Sequence, residues 1–170
     1  VTDEADQTTD PRWYGFPRAR ERRVMLKRTP HKVGCTMIKK VGGTEIKAKH
    51  RASCHCGAVV LELELPDGIV DPRRCDCSIC RRKGAIVASV PLAGITIIQG
   101  ADVLNLYEFN THTAKHYFCS RCGIYTHHQR RSNPSQYGYN VACLEGVNPF
   151  DLGDVPTNDG VNHPADRSEI

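Results

Sequence analysis

The sequence predicts a mainly β, compact fold with a few short helical turns. Three observations lead there. Several short runs alternate apolar and polar residues with period 2, as half-exposed strands do. No stretch keeps a 3.6-residue periodicity through three helical turns. Turn-forming PLAG at 91–94 and QGAD at 99–102 punctuate the runs. At 170 residues the chain is long enough for one substantial core.

Residues 1–44 read as a flexible extension, with charges, Pro11, Pro17 and Pro30 but little apolar periodicity. Within that stretch MIKKVGGTEIKAKH, from Met37, looks like the natural start of a compact domain, with Gly42 and Gly43 as a turn before a strand. The cysteine-rich domain is expected over 45–166, with 167–170 a tail. VVLELELP alternates from Val59 and stops at Pro66. GAIVASVP, ITII at 95–98, VLNLYEF and KHYF continue the strand pattern, and SICRRK suits one helical turn after Cys77. YGYNVACL reads as a last core strand, and the Asp-, Gly-, Pro- and Asn-rich residues from Asn148 as surface chain.

Charge is divided unevenly. Residues 1–50 carry 12 Lys/Arg against 6 Asp/Glu, and residues 51–170 carry 11 against 13, so the net +4 belongs to the extension. A tract such as RARERRVMLKR can reach nucleic acid or an acidic protein by counterion release, but a solvated arm is the favoured reading. The cysteine-rich part shows no basic stripe. No apolar run approaches the roughly 20 residues that span a bilayer, and VTDEADQTTD lacks a secretory pattern. A cytoplasmic protein with no membrane contact is therefore expected.

Nine cysteines in such a chain require an explanation. A reducing compartment disfavours disulfides, the count is odd, and C-x-C spacing is too tight for an unstrained bridge within the pair. Seven of them form three clusters: Cys54 and Cys56; Cys75, Cys77 and Cys80; Cys119 and Cys122. Cys119 to Gly123 is a C-x-x-C-G knuckle, whose glycine permits the positive φ that aims both sulfurs at one ion. A closed structural zinc site takes four ligands, whereas a catalytic one offers three and keeps a position open. Seven thus divides into Cys54, Cys56, Cys119 and Cys122 as a closed site, and Cys75, Cys77 and Cys80 as an open one. Four thiolates on Zn²⁺ carry about −2 and serve folding. Three carry about −1 and can accept an incoming thiol and lower its pKa. An alternative stays open in which both sites are structural, with His55, His112, His116, His127 or His128 completing the second. Cys143 reads as core, and Cys35 falls in the extension.

SCHCGAV at 53–59, CDCSICRRKG at 75–84, YEFNTHTAKHYFCSRCGIYTHHQRRSNP at 107–134 and the later NVACLEG together resemble the glutathione-dependent formaldehyde-activating enzyme (GFA) family, in particular its centromere protein V-like branch. The resemblance covers about residues 46–166. It implies a zinc-dependent Mss4-like (β-tent) fold with one structural and one catalytic zinc per chain. The family's structural ligands fall on Cys54, Cys56, Cys119 and Cys122, and its catalytic cysteines on Cys75, Cys77 and Cys80. It also implies carbon–sulfur lyase chemistry, in which glutathione or a similar thiol and formaldehyde interconvert with S-hydroxymethylglutathione.

Beyond the cysteines, Arg81, Arg82 and Lys83 follow the open site and are candidates to hold a carboxylate of a glutathione-like ligand; covering an anionic centre is the competing role. His116 is a candidate second-layer donor to a thiolate or a satisfied core histidine. QRRSNP at 129–134 is expected to be a turn-bearing loop with an anion contact. Two other functions remain alternatives: a noncatalytic zinc scaffold that binds a partner through the basic arm, and a thiol redox sensor built on Cys75 to Cys80.

Overall fold

The computed structural model describes residues 36–163. Residues 1–35 of the extension, Cys35 included, and the tail 167–170 lie outside them.

The observed architecture is mainly β. Strands Leu104–Tyr107, Lys115–Cys119, Tyr125–Gln129, Gln136–Asn140 and Val87–Pro91 lie side by side in that order as an antiparallel sheet. A second antiparallel sheet joins Lys49–Ser53, Val60–Glu64 and Ile95–Gln99. In Val60–Glu64 the period-2 pattern does what alternation requires: Leu61 and Leu63 are buried, while Glu64 is exposed and pairs with Lys49. Leu61, Leu63 and Val59 from this sheet meet Ala88, Val90 and Tyr139 from the other in one apolar core. Fully burying a side chain such as Leu63 contributes about 1.5–3 kcal/mol.

Four departures from the sequence reading bear on the site. Met37–Ile38 pairs with Ile69–Val70, so paired backbone begins inside the stretch expected to be extension, at the position where MIKKVGG reads as a domain start. Tyr125–Gln129 is a central strand that its polar composition concealed; its neighbours supply the ladder on both sides. The strand at YGYNVACL ends at Asn140, whose side-chain oxygen accepts the Ala142 amide at 3.1 Å and turns residues 141–143 into a single 3-10 turn. Residues after Asn148 do more than cover the surface, because Thr157–Asn158 pairs in parallel with Arg74–Cys75. No helix among the described residues is long and apolar enough to cross a membrane.

Candidate functional site

Two cysteine clusters form, with the membership that ligand counting predicted. The Cys54, Cys56, Cys119 and Cys122 sulfurs lie within 4.8 Å of one another, and so do those of Cys75, Cys77 and Cys80. In the first cluster Cys54 and Cys56 stand 3.6 Å apart, and Cys56 and Cys119 3.8 Å. Four sulfurs about 2.3 Å from a tetrahedral ion stand about 3.8 Å from each other, so this donor set fits a metal and is far from disulfide contact. Each half is a backbone turn. Cys119 donates to the Ile124 carbonyl and accepts the Gly123 amide at 2.8 Å, with Gly123 at φ +73°. Opposite it, the Val59 amide donates to Cys54 Sγ at 3.3 Å. A register shift between Tyr117 and Phe118 turns the strand just before Cys119. Amides of Ile124 and Cys56 draw the Cys122 thiol down to about 6, which suits a ligand that binds as thiolate.

The second cluster is built from one short turn. Cys75 ends a two-residue strand, and Cys80 opens the helix Cys80–Lys83, which Gly84 terminates in the left-handed conformation with its amide on the Cys80 carbonyl. Cys77 is held far below the ordinary thiol range by hydrogen bonds from Cys75 and Cys80 and from the Cys80 and Ile79 amides. The same contacts with Cys75 and Cys77 push Cys80 up, because close thiols resist ionising together. Three sulfurs with one thiolate already favoured fit a metal ion that replaces the shared protons. No histidine ligand atom joins either cluster among the described residues.

The three-sulfur cluster opens into a cleft of about 610 Å³. Arg81 lines it, as do Arg73 and, just after Tyr125–Gln129, Arg130 and Arg131. Arg82 is not among the residues that line it; its guanidinium donates to the Ser78 carbonyl at 2.6 Å. Arg73 is anchored by the Asp71 carbonyl at 2.9 Å and Ser89 Oγ at 2.6 Å. The turn expected at Asn133 is present: its side-chain oxygen accepts the Ser135 amide and hydroxyl, which holds the loop that follows Arg130 and Arg131.

Among the candidate histidines, His116 and His128 line the cleft, stacked with ring centres 5.2 Å apart. Tyr125 hydrogen-bonds His128 Nδ1 from below. Burial, then the neighbouring Lys83 charge, holds His116 down to about 4, and burial depresses His128 as well. Both rings are neutral at ordinary pH. His127 points to the other face, between Tyr117 and Tyr137, and His55 and His112 are exposed and outside the cleft. Lys83, a candidate alongside Arg81 and Arg82 to hold a substrate carboxylate or cover an anionic centre, folds inward onto His116 and Tyr125. Cys143 is buried in the core, as its NVACL setting suggests.

Sequence reasoning missed the residues that close the cleft. Asp76, between two of the cysteines, accepts the Gly160 amide at 2.7 Å and the Val161 amide at 3.3 Å. Gly160 packs so tightly that a Cβ there would lie 2.4 Å from Cys75 Sγ and 2.7 Å from Cys77 Cβ. Nothing local in C-D-C announces that contact.

Comparison with known proteins bears on the same elements. Residues 49–152 match the family model described as glutathione-dependent formaldehyde-activating enzyme, which takes in both cysteine clusters. A Halomonas elongata protein named "Putative glutathione-dependent formaldehyde-activating enzyme" is 35% identical over 78 residues, covering 41% of this chain and 49% of that protein. The chain thus spans about half the length of that curated relative. The crystal structure of a Rhodobacter sphaeroides protein superposes with a TM-score of 0.62 at 62% identity, covering 64% of this chain and 99% of that one. The sulfur geometry and the extent of the family match together make this chain a member of the glutathione-dependent formaldehyde-activating enzyme family.

Proposed function

We propose that this chain is a zinc-dependent carbon–sulfur lyase-type enzyme acting on an adduct of glutathione or a similar thiol, such as S-hydroxymethylglutathione. One observation carries the reading: three sulfurs, Cys75, Cys77 and Cys80, converge at a cleft of about 610 Å³, apart from a four-sulfur cluster whose ligand set is complete. Cys54, Cys56, Cys119 and Cys122 would hold a structural zinc, and Cys75, Cys77 and Cys80 a catalytic one. A zinc ion at the second position supplies Lewis acidity that stabilises the thiolate form of a thiol substrate.

The chain's own residues supply the rest. Arg81 on one side, and Arg130 and Arg131 on another, offer planar donors that match a substrate's carboxylates. The glutathione-like substrate is supported by this cationic lining and by the family's name. The neutral His116 and His128 rings form a wall that does not compete as cations for the thiolate. In the forward direction a bond forms between the thiol sulfur and the formaldehyde carbon, and the thiol's proton ends on the former carbonyl oxygen; the lyase direction reverses both changes. The centromere protein V-like affinity rests on FNTHTAKHYFCSRCG and RSNP in this sequence, and the proposed setting is the cytoplasm, where thiols stay reduced. The proposed division of the chain keeps the basic N-terminal residues as an arm outside the zinc domain.

The test is formation of S-hydroxymethylglutathione from glutathione and formaldehyde by metal-loaded protein, against the spontaneous rate and a Cys77→Ser control. Acceleration by the loaded wild type alone supports the reading. No acceleration from protein carrying two zincs overturns this substrate assignment.

A further inference from the structure

His116 is a buried histidine on the strand Lys115–Cys119, and its ring lines the same cleft as Cys75, Cys77 and Cys80. Its Nδ1 lies 3.0 Å from Lys83 Nζ. An ammonium has three donors and no lone pair, so the contact requires Nδ1 to accept. That settles the ring: it is neutral and carries its one proton on Nε2. Burial, then the lysine charge, acts in the same direction and holds its pKa down to about 4. Nε2 has no hydrogen-bond partner among the described residues, and it is not sealed off from the surface as the Tyr139 hydroxyl is.

The ring is held in place as firmly as its proton. His116 stands opposite Tyr107 on one neighbouring strand and His128 on the other. It is stacked between Phe109, with ring centres 5.9 Å apart, and His128, at 5.2 Å. Gly138, opposite His128, makes the room: a Cβ there would lie 2.4 Å from His128 Cε1. Lys83 ends the four-residue helix that Cys80 begins, so the group that orients the ring and one sulfur of the three-sulfur cluster belong to a single helical turn.

We infer that His116 is a catalytic residue whose Nε2–H donates a hydrogen bond to the hydroxymethyl oxygen of the thiol–formaldehyde adduct. The inference rests on the reading of this cleft as the site of carbon–sulfur chemistry and adds the group that meets the oxygen. When the thiol sulfur bonds to the formaldehyde carbon, the carbonyl π pair moves onto oxygen and negative charge develops there. The Nε2–H bond stays intact; the oxygen takes the proton that the thiol releases, and the lyase direction returns it. A donor fixed beforehand stabilises that charge without reorganising at the moment of reaction. Being uncharged, it leaves the binding of carboxylates to the arginines of the same cleft. A histidine that only packed between its neighbours would be replaceable by phenylalanine, which keeps the stacking.

The experiment uses the full chain loaded with two zincs. Long-range ¹H–¹⁵N spectra of histidine-labelled protein should show His116 neutral with its proton on Nε2, and Lys83→Met should let the Nδ1–H form appear. A wild-type ring that is mainly Nδ1–H or doubly protonated overturns the inference whatever the activity. With S-hydroxymethylglutathione as substrate, His116→Phe should lower kcat about 100-fold while KM and the zinc content stay unchanged, and His116→Gln, which keeps a neutral N–H, should recover about tenfold. Wild-type kcat in His116→Phe overturns the inference and leaves the lyase reading standing. If His116→Phe loses zinc, His116→Gln decides: a two-zinc Gln variant no faster than the spontaneous reaction overturns the inference. No turnover by two-zinc wild type overturns the inference together with the reading beneath it.

Discussion

Asp76 accepts the Gly160 amide at 2.7 Å across 84 positions of sequence, tying the segment after the last described strand onto the turn that carries Cys75, Cys77 and Cys80. A carboxylate that receives two backbone amides is a strong acceptor, and here it decides where one wall of the cleft stands. Asp76→Ala should therefore free residues 157–163, seen as hydrogen exchange at Gly160 and Val161 faster by an order of magnitude or more. The loss in global stability should be about 1–3 kcal/mol by chemical denaturation. Unchanged exchange at those amides would show that the parallel pairing with Arg74–Cys75 suffices without the carboxylate.

Gly160→Ala tests the same closure from the other side. Its Cβ would meet the Cys75 sulfur at 2.4 Å and the Cys77 amide nitrogen at 3.0 Å, so either the strand or the cysteine turn must shift. The expected result is weaker metal retention at Cys75, Cys77 and Cys80, with the four-sulfur cluster unaffected. Metal stoichiometry after dialysis against a mild chelator reads this directly.

The two clusters should respond differently to loss of one sulfur. Cys119 is fully buried at the end of a central strand and holds the sheet to the Cys54–Cys56 turn, so Cys119→Ser should abolish cooperative thermal unfolding. Cys77 belongs to a partly exposed turn, and Cys77→Ser should keep the circular dichroism spectrum and the unfolding cooperativity while turnover falls to the spontaneous rate. Equal damage to folding in both variants would remove the distinction between a structural and a reactive cluster.

Tyr125→Phe separates the roles of ring and hydroxyl. The phenylalanine keeps a π face beneath Lys83 but removes the hydroxyl that bonds His128 Nδ1 and the Gly138 carbonyl. Stability should drop by about 1–3 kcal/mol, since a buried polar partner is left unsatisfied. Zinc retention at the three-sulfur cluster should stay at the wild-type value.

Acid should destabilise the fold through buried histidine before carboxylates protonate. Burial holds His127 down to about 4, against an ordinary value near 6.5 in the unfolded chain. Between those values the unfolded state binds the proton and the folded state does not, so stability is complete above about pH 6.5 and falls as pH drops toward 4. His127→Phe should flatten that slope in the thermal midpoint, and metal content measured on the same samples separates this effect from protonation of the cysteines.

Much of the site is legible in sequence because its chemistry is local. C-x-C, C-D-C-S-I-C and C-x-x-C-G each place their sulfurs by a turn of a few residues, so counting ligands was enough to divide seven cysteines into four and three. Strands such as Val60–Glu64 were equally plain, because alternation along one strand reports which face meets the core. Tyr125–Gln129 was not, since a central strand of Tyr, Thr and two histidines is held by its ladder and by ring stacking, with no apolar alternation to show it.

The sequence by itself determined the mainly β class, the membership of the two sulfur clusters and the helical turn after Cys77, all of which depend on neighbours a few residues apart. The tertiary structure decided that Lys83 turns inward while Arg82 donates to the Ser78 carbonyl, that His116 and His128 rather than His127 face the cleft, and that Gly160 lies on Cys75. Each of those outcomes depends on which distant backbone arrives at van der Waals distance, and no periodicity or spacing along a chain encodes that approach.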